Sequence, residues 1–106
     1  MSHVTDVILI DSGINEKRFF RDIDTWFQVR YNSSLHRLDK EAGGNKVMQC
    51  DVYMGAFNYM DIEEFIEFFN FLKWNDHEGI QLLIKDEHDD GFTLRYFKNG
   101  AYLEEK

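Results

Sequence analysis

Proline is absent from this 106-residue chain, cysteine occurs once, and no apolar run approaches the length of a membrane span. Because Cys50 has no second cysteine to pair with, an internal disulfide is excluded and nothing indicates an oxidising compartment. The start of the chain also lacks the basic and apolar regions of a signal peptide. A membrane span needs about 18 consecutive apolar residues. We therefore expect a soluble, cytoplasmic protein without a membrane partner.

The sequence has no serine-rich, glycine-rich or low-complexity run that could serve as a linker. Apolar residues make up 43% of the chain and aromatic residues 16%, which separates it from disordered sequences despite 30% charged residues. A chain of this length can build one core and is too short for two. These observations predict a single domain over residues 1–106.

Sequence patterns of well-known chemistries are missing as well. There is no glycine-rich phosphate loop, Ser12 lacks the Gly-x-Ser-x-Gly context of a nucleophile, and Cys50 has no neighbouring base in sequence. The acidic turn at residues 86–91 resembles a calcium loop incompletely, because His88 replaces a carboxylate or amide and Phe97 stands where a glutamate is expected. The histidines show no zinc spacing. We predict no catalytic residue, no cofactor and no locally encoded metal site, and leave open a metal site assembled across strands.

Two helices are predicted from their start signals and apolar spacing. Asn15 is expected to cap the first, with Ile14 and Phe19 as a hydrophobic staple. Asp61 is expected to cap the second, with Glu64 in the capping-box position. The apolar face of the first helix comprises Phe19, Phe20, Ile23, Trp26 and Phe27, and that of the second comprises Ile62, Phe65, Ile66, Phe69 and Leu72.

The remaining chain is predicted to form strands. In order, the strand segments are residues 4–10, then 35–40 and 46–54 around a glycine-containing turn, then 80–84 and 92–96 around the acidic turn, and a short last strand at 101–103 after Asn99-Gly100. The order β-α-β-β-α-β-β, with the short last strand, indicates an α+β fold in which two helices pack on one face of a mostly antiparallel sheet.

Strand alternation assigns faces to individual side chains. In residues 46–54 we expect Cys50 to be buried with Met48, Val52 and Met54, while Gln49, Asp51 and Tyr53 face water. The predicted core unites both helices and the strands through Phe20, Ile23, Phe27, Phe65, Ile66, Phe69, Leu72, Leu9, Val52, Leu82 and Leu94.

The negative charge of the chain is concentrated in one third of its length. Residues 57–91 hold ten acids and two lysines, whereas the remainder holds ten acids and ten bases. Such a field attracts cationic partners and repels nucleic acid, which is therefore not an expected partner. Lys17, Arg18 and Arg21 cluster on the first helix, and we interpret them as a solvated face.

The second helix carries more aromatic residues than one core face needs. Phe71 lies about 160° from the centre of its apolar stripe, and Phe68 and Trp74 lie on the flanks. One interpretation is that a loop or the last strands bury the helix on two sides, or that Phe68 and Trp74 widen the stripe. The other is an aromatic anchor set among acidic residues, as in a binding hot spot, and a contact between copies fits equally well.

The first hypothesis is a non-catalytic, acidic interaction module, of the inhibitor, immunity-type or regulatory kind, which binds a basic surface of another protein. Its expected partner-binding residues are Glu63, Glu64, Glu67, Phe68, Phe71, Trp74, Asp86, Asp89 and Asp90. Two alternatives stay open. One is a small-ligand binder or minor enzyme with a cleft between sheet and helices, using Asp51, Tyr53, His36 or Gln49. The other is a structural homo-oligomer formed through the sheet or through Phe71.

Overall fold

The computed structural model describes residues 3–106, which form an α+β fold with two helices and a six-stranded antiparallel sheet. The helices are α1 (Lys17–Tyr31) and α2 (Ile62–Phe71). Short 3₁₀ helices span Asp39–Glu41 and His77–Gly79. The strands are β1 (Val4–Asp11), β2 (His36–Arg37), β3 (Asp51–Asn58), β4 (Ile80–Asp86), β5 (Thr93–Lys98) and β6 (Ala101–Glu105). The predicted fold class and element order are confirmed.

The sheet has the strand order β2-β3-β1-β4-β5-β6, so that β1 lies near its middle. Val7 and Leu9 of β1 are buried, and they sit beside Ile84 and Leu82 of β4 in register. The turn between β5 and β6 uses Asn99 at φ 52° and Gly100 at φ 79°. Both residues have positive φ, as a tight Asn-Gly hairpin turn requires, which is why the sequence identified this turn.

Both helices cover the same face of the sheet, which we call the covered face. Phe27 of α1 stacks on Phe57 of β3 with ring centroids 4.3 Å apart, and Phe69 of α2 stacks on Phe97 of β5 at 5.6 Å. Trp26 of α1 contacts Phe65 of α2 at 5.1 Å, which joins the two helices to each other. The predicted core members on the helices are buried, except that Ile66 is half-buried.

The expected capping of α1 is wrong. Glu16 occupies the N-cap position without a side-chain hydrogen bond, and Ile14 is 88% exposed, so there is no staple. The Asn15 side chain is buried elsewhere, where it accepts from the backbone N–H of Asp76 at 2.8 Å and donates to Asp11 Oδ1 at 3.0 Å. This contact, between residues 61 positions apart, ties the loop before α1 to the connection before β4.

The face assignment of two strands is also corrected. Val52 and Leu94, expected in the core, are partly exposed on the face opposite the helices, which we call the open face. β3 extends to Asn58, and its covered face is fixed by Phe57, which has the same strand phase as Tyr53 and Asp51. Phe97 fixes the phase of β5 in the same way. Met48 lies in an exposed loop, Met54 is exposed on the open face, and Cys50 is half-buried rather than buried.

Candidate functional site

The outer side of α2 carries a line of exposed residues along the helix axis. Glu63, Glu67 and Phe71 follow one another at a spacing of four residues, which places them on one face of an α-helix. We call these three residues the outer ridge. The Phe71 ring is 76% exposed, as expected from its wheel position opposite the core stripe. Within residues 3–106, neither Glu63 nor Glu67 makes an ion pair with a protein side chain.

A shallow groove between the outer surfaces of α1 and α2 lies beside the outer ridge. Phe68, Phe71 and Leu72 line one side of it, and Asp22, Thr25 and Val29 line the other. Val29 is 75% exposed, so that two large apolar side chains stand in solvent on facing helices. Sequence reasoning missed Val29, although its position outside the apolar stripe of α1 marked it as an exposed residue.

The groove has an aromatic floor, and a charged residue lies against it. The Phe68 ring stacks on Trp26 with centroids 5.8 Å apart. The Arg30 guanidinium lies 4.4 Å from the centre of the same Trp26 ring. The π face of the indole attracts this cation. Arg30 Nε also donates to Glu64 Oε1 at 2.5 Å. Glu64 therefore joins the two helices, which distinguishes it from Glu63 and Glu67 on the same helix.

Trp74 requires a correction. Its side chain is 3% exposed and packs against Phe19, Phe20 and Phe69, with ring centroids 5.2–5.7 Å apart. Its indole N–H donates to the carbonyl oxygen of Phe69 at 3.3 Å. Because α2 ends at Phe71, the chain turns back beneath the helix end and carries Trp74 into the core. Trp74 thus belongs to the core and is not accessible to a partner.

The three acids predicted in the β4–β5 turn have different environments. Asp86 is half-buried and accepts hydrogen bonds from Thr5 Oγ1 at 2.8 Å and from His3 Nε2 at 2.8 Å. Partial burial raises the pKa of Asp86, but these hydrogen bonds outweigh it and the net pKa lies below the usual value. Asp89 accepts from the backbone N–H of Asp86, which closes the turn, and Asp90 is exposed.

The predicted binding residues fall into two groups rather than one surface. The β4–β5 turn adjoins the start of α2, because the His3 ring contacts both His88 at 6.1 Å and Tyr59 at 6.4 Å. Phe71 is the last residue of α2, a helix of ten residues and thus about 15 Å long. The turn acids and the aromatic end of the outer ridge are therefore separated by the length of the helix.

The polar residues considered for a ligand cleft do not converge. Asp51 lies at the covered-face end of β3, where it accepts from Lys17 Nζ at 2.6 Å and from Arg37 at 2.7 Å. Tyr53 stacks on Phe20 at 4.8 Å, and burial raises its pKa to about 12. His36 and Gln49 are exposed, and His36 pairs with Met54 of the open face. Asp51 and Tyr53 are thus engaged in packing and ion pairs within the fold.

Arg37 organises these ion pairs. It donates to both carboxylate oxygens of Asp39, at 2.8 Å and 3.2 Å, as well as to Asp51. The hydrogen bond from Arg37 lowers the pKa of Asp39 to about 2. Asp39 also accepts from the backbone N–H of Val52, so that the acid fixes the start of β3. This arrangement joins β2 and the 3₁₀ helix at Asp39–Glu41 to the start of β3.

The open face of the sheet carries a row of apolar neighbours across four strands. Met54, Ile8, Leu83 and Leu94 are successive cross-strand partners in β3, β1, β4 and β5. No helix covers this row in the described part of the chain, and its members are half-buried or exposed. The nearby charges Asp6 and Lys85 are themselves cross-strand partners. An uncovered sheet face normally carries polar side chains, so this row is unusual.

No helix formed by residues 3–106 is both long and apolar enough to cross a membrane. A scan against protein-family models gives no match, and neither the curated proteins nor the solved structures contain a detectably similar chain.

Proposed function

We propose that this protein is a non-catalytic interaction module, an inhibitor, immunity-type or regulatory binder, that recognises a basic surface of another protein. The recognition surface is the outer ridge together with the groove lined by Phe68 and Val29. The observation that carries the proposal is the 76% exposure of the Phe71 ring, in a helix whose core face is already complete without it.

An exposed aromatic side chain can contribute binding energy when a partner covers it. A Phe side chain gains about 1.5–3 kcal/mol when it is fully removed from water, and aromatic side chains dominate the binding energy of many interfaces. Phe71 lies beside Val29 across the groove, while Trp26 and Phe68 form a packed base. A partner with an apolar recess would bury both exposed side chains against a surface that is already ordered.

Charge determines the kind of partner that fits this surface. Glu67 and Glu63 lie about one and two turns before Phe71 on the outer ridge, and Asp22 lines the opposite side of the groove. The chain as a whole has a net charge of −8. A basic rim around the apolar recess of the partner would complement these acids and speed association.

Comparative affinity capture from the native host tests the proposal. The wild-type chain and Phe71→Ser are used as baits at low salt. Mass spectrometry quantifies the proteins bound at low salt and those that a moderate-salt wash then elutes. Ile14→Ser is the matched control, because Ile14 is 88% exposed but lies in the loop before α1. We expect a basic protein that the wild type and the control retain, that Phe71→Ser loses, and that elutes as salt screens the charges.

Two outcomes contradict the proposal. One is that every retained protein binds Phe71→Ser as well as it binds the wild type. The other is that the same proteins are lost with Ile14→Ser, which would indicate adhesion to any exposed apolar residue.

The apolar row on the open face supports a second candidate function, a structural homo-oligomer. The occupant we propose is a second copy of this chain, because the four side chains of the row are uncharged, so that contact between two rows places no like charges directly against each other. Face-to-face sheet packing would bury Met54, Ile8, Leu83 and Leu94 of each copy.

Mass in solution, measured by sedimentation or light scattering over a range of concentrations, separates the two candidates. If the row is a self-contact, the wild type is a dimer and Leu83→Lys is a monomer, while Val47→Lys in the exposed loop before β3 stays dimeric. A wild type that is monomeric at high concentration rejects the oligomer. Phe71→Ser is expected to leave the mass unchanged in either case.

A further inference from the structure

Three potential metal-binding side chains from two separate parts of the chain meet beside the start of α2. His3, which precedes β1, lies next to Glu87 and His88 of the β4–β5 turn, and one ligand atom from each lies within 4.8 Å of the others. We call these residues the histidine cluster. Sequence spacing does not indicate the histidine cluster, because the β4–β5 turn is far from His3 along the chain. Asp86, which directly precedes Glu87, is 83 positions from His3.

His3 is held in place by contacts on several sides. Its ring Nε2 hydrogen-bonds to the Asp86 carboxylate, which in turn accepts from Thr5 Oγ1 at 2.8 Å. Its carbonyl oxygen accepts from the backbone N–H of Tyr59 at 2.8 Å, and its ring stacks on the Tyr59 ring. A histidine oriented by a carboxylate is the common arrangement among metal ligands, because the carboxylate fixes the ring.

Glu87 and His88 approach His3 from the turn. Glu87 Oε1 accepts from the backbone N–H of Val4, which places this carboxylate beside the residue that follows His3. The His88 ring lies edge-on to the His3 ring at 6.1 Å and is exposed to solvent. The ligand atoms must come closer together than 4.8 Å to share one ion, and the His88 side chain, which is exposed, is the least restrained of the three.

We propose that the histidine cluster is a binding site for a divalent transition-metal ion of the zinc type. Two imidazoles and one carboxylate are a donor set that Zn²⁺ accepts, with water completing a four-coordinate shell. Mg²⁺ and Ca²⁺ prefer sites built from oxygen ligands alone and are expected to bind poorly. The bound ion would link the start of β1 to the β4–β5 turn, independently of the outer ridge and its partner.

Zinc titration of the full chain without an affinity tag tests the site. Binding is measured by calorimetry, and the histidine ring signals are followed by NMR. We expect the His3 and His88 signals to shift and those of His36 and His77 to stay. His3→Gln and His88→Gln should each weaken Zn²⁺ binding at least about tenfold, and Asp86→Asn should weaken it by about tenfold through loss of ring orientation. His36→Gln, at an exposed position on β2, is the matched control.

Thermal unfolding with and without Zn²⁺ separates a lost ligand from a damaged fold. Each variant is compared with itself, so a shift in melting temperature on adding Zn²⁺ reports binding even where the substitution alters stability. The proposal is overturned if His3→Gln and His88→Gln bind Zn²⁺ within about twofold of the wild type. Equal shifts of all four histidine signals would also overturn it, because they indicate binding at scattered surface groups.

Discussion

The two sides of α2 differ in what their aromatic residues do. Phe69 is fully buried and packs against Phe97 and Trp74, whereas Phe71, two residues further along the same helix, is 76% exposed. Two positions along a helix correspond to about 200° of rotation, so these residues face opposite directions. The inner side holds the fold together by burial, and the outer side contributes little to it. Substitution of Phe69 and of Phe71 can thus distinguish a role in the fold from the proposed role in binding.

The inner side is expected to show the largest effect. Phe69→Ala removes a fully buried ring and leaves a cavity among Phe65, Trp74 and Phe97. We predict a loss of about 3–5 kcal/mol in the free energy of unfolding, measured by denaturant melts. A loss below about 1 kcal/mol would show that the inner side is assigned wrongly.

The outer side is expected to respond in binding rather than in folding. Phe71→Ser should change the free energy of unfolding by less than about 1 kcal/mol, because the ring has little burial to lose. The same substitution should weaken partner association by about 2 kcal/mol or more. Titration with the captured partner measures the second effect, with Ile14→Ser as the exposed control.

The cap at the start of α2 supports the whole helix and is expected to contribute less to stability than Phe69 does. The Asp61 side chain accepts from the backbone N–H of Glu64 at 3.1 Å and so caps the helix. We predict that Asp61→Ala lowers the free energy of unfolding by about 1 kcal/mol. Asp61→Asn, which keeps a capping oxygen, should recover most of this loss. If alanine and asparagine were equally destabilising, the cap would not be the cause.

Carboxylates also differ in whether the fold engages them, as the paired Asp39 and the exposed Glu67 show. Asp39 is paired with Arg37, and its folded-state pKa of about 2 lies below the ordinary value of 3.8. A lowered pKa contributes stability that is present above the ordinary value and is lost as pH falls through the folded one. The difference in unfolding free energy between the wild type and Asp39→Asn should therefore narrow between about pH 4 and pH 2.

Glu67 on the outer ridge is the matched control for this pH experiment. Glu67→Gln changes an exposed acid without an ion pair in the described residues, and it should alter the unfolding free energy by less than about 0.5 kcal/mol. If the difference in unfolding free energy between the wild type and Asp39→Asn stayed constant from about pH 4 to pH 2, this would contradict the role given to the Arg37–Asp39 pair.

Local patterns predicted α2 and its two sides well. The Asp61 cap and the helical spacing of Phe65, Phe69 and Phe71 depend only on neighbouring residues, and the fold preserves them. Strand phase was harder, because both faces of the strands are apolar and alternation alone does not say which one the helices cover. Phe57 and Phe97, which decide it, lie beyond the strand ends that the sequence indicated.

Contacts between distant segments could not be predicted from the sequence. Asn15 pairs with Asp76 instead of capping α1, and Trp74 enters the core because the chain turns back at the end of α2. The groove beside Val29 and the histidine cluster likewise depend on segments that only the fold brings together. The sequence predicted the excess of acids in residues 57–91, but not that these acids lie in two separate places, the outer ridge and the β4–β5 turn.

Parallel measurement of folding and binding for Phe71→Ser tests the central claim most directly. Denaturant melts give the unfolding free energy, and titration with the partner captured by the wild type gives the affinity. The account predicts a fold within about 1 kcal/mol of the wild type and an affinity reduced about 30-fold, which corresponds to about 2 kcal/mol. Destabilisation as large as that of Phe69→Ala, or an unchanged affinity, would contradict it.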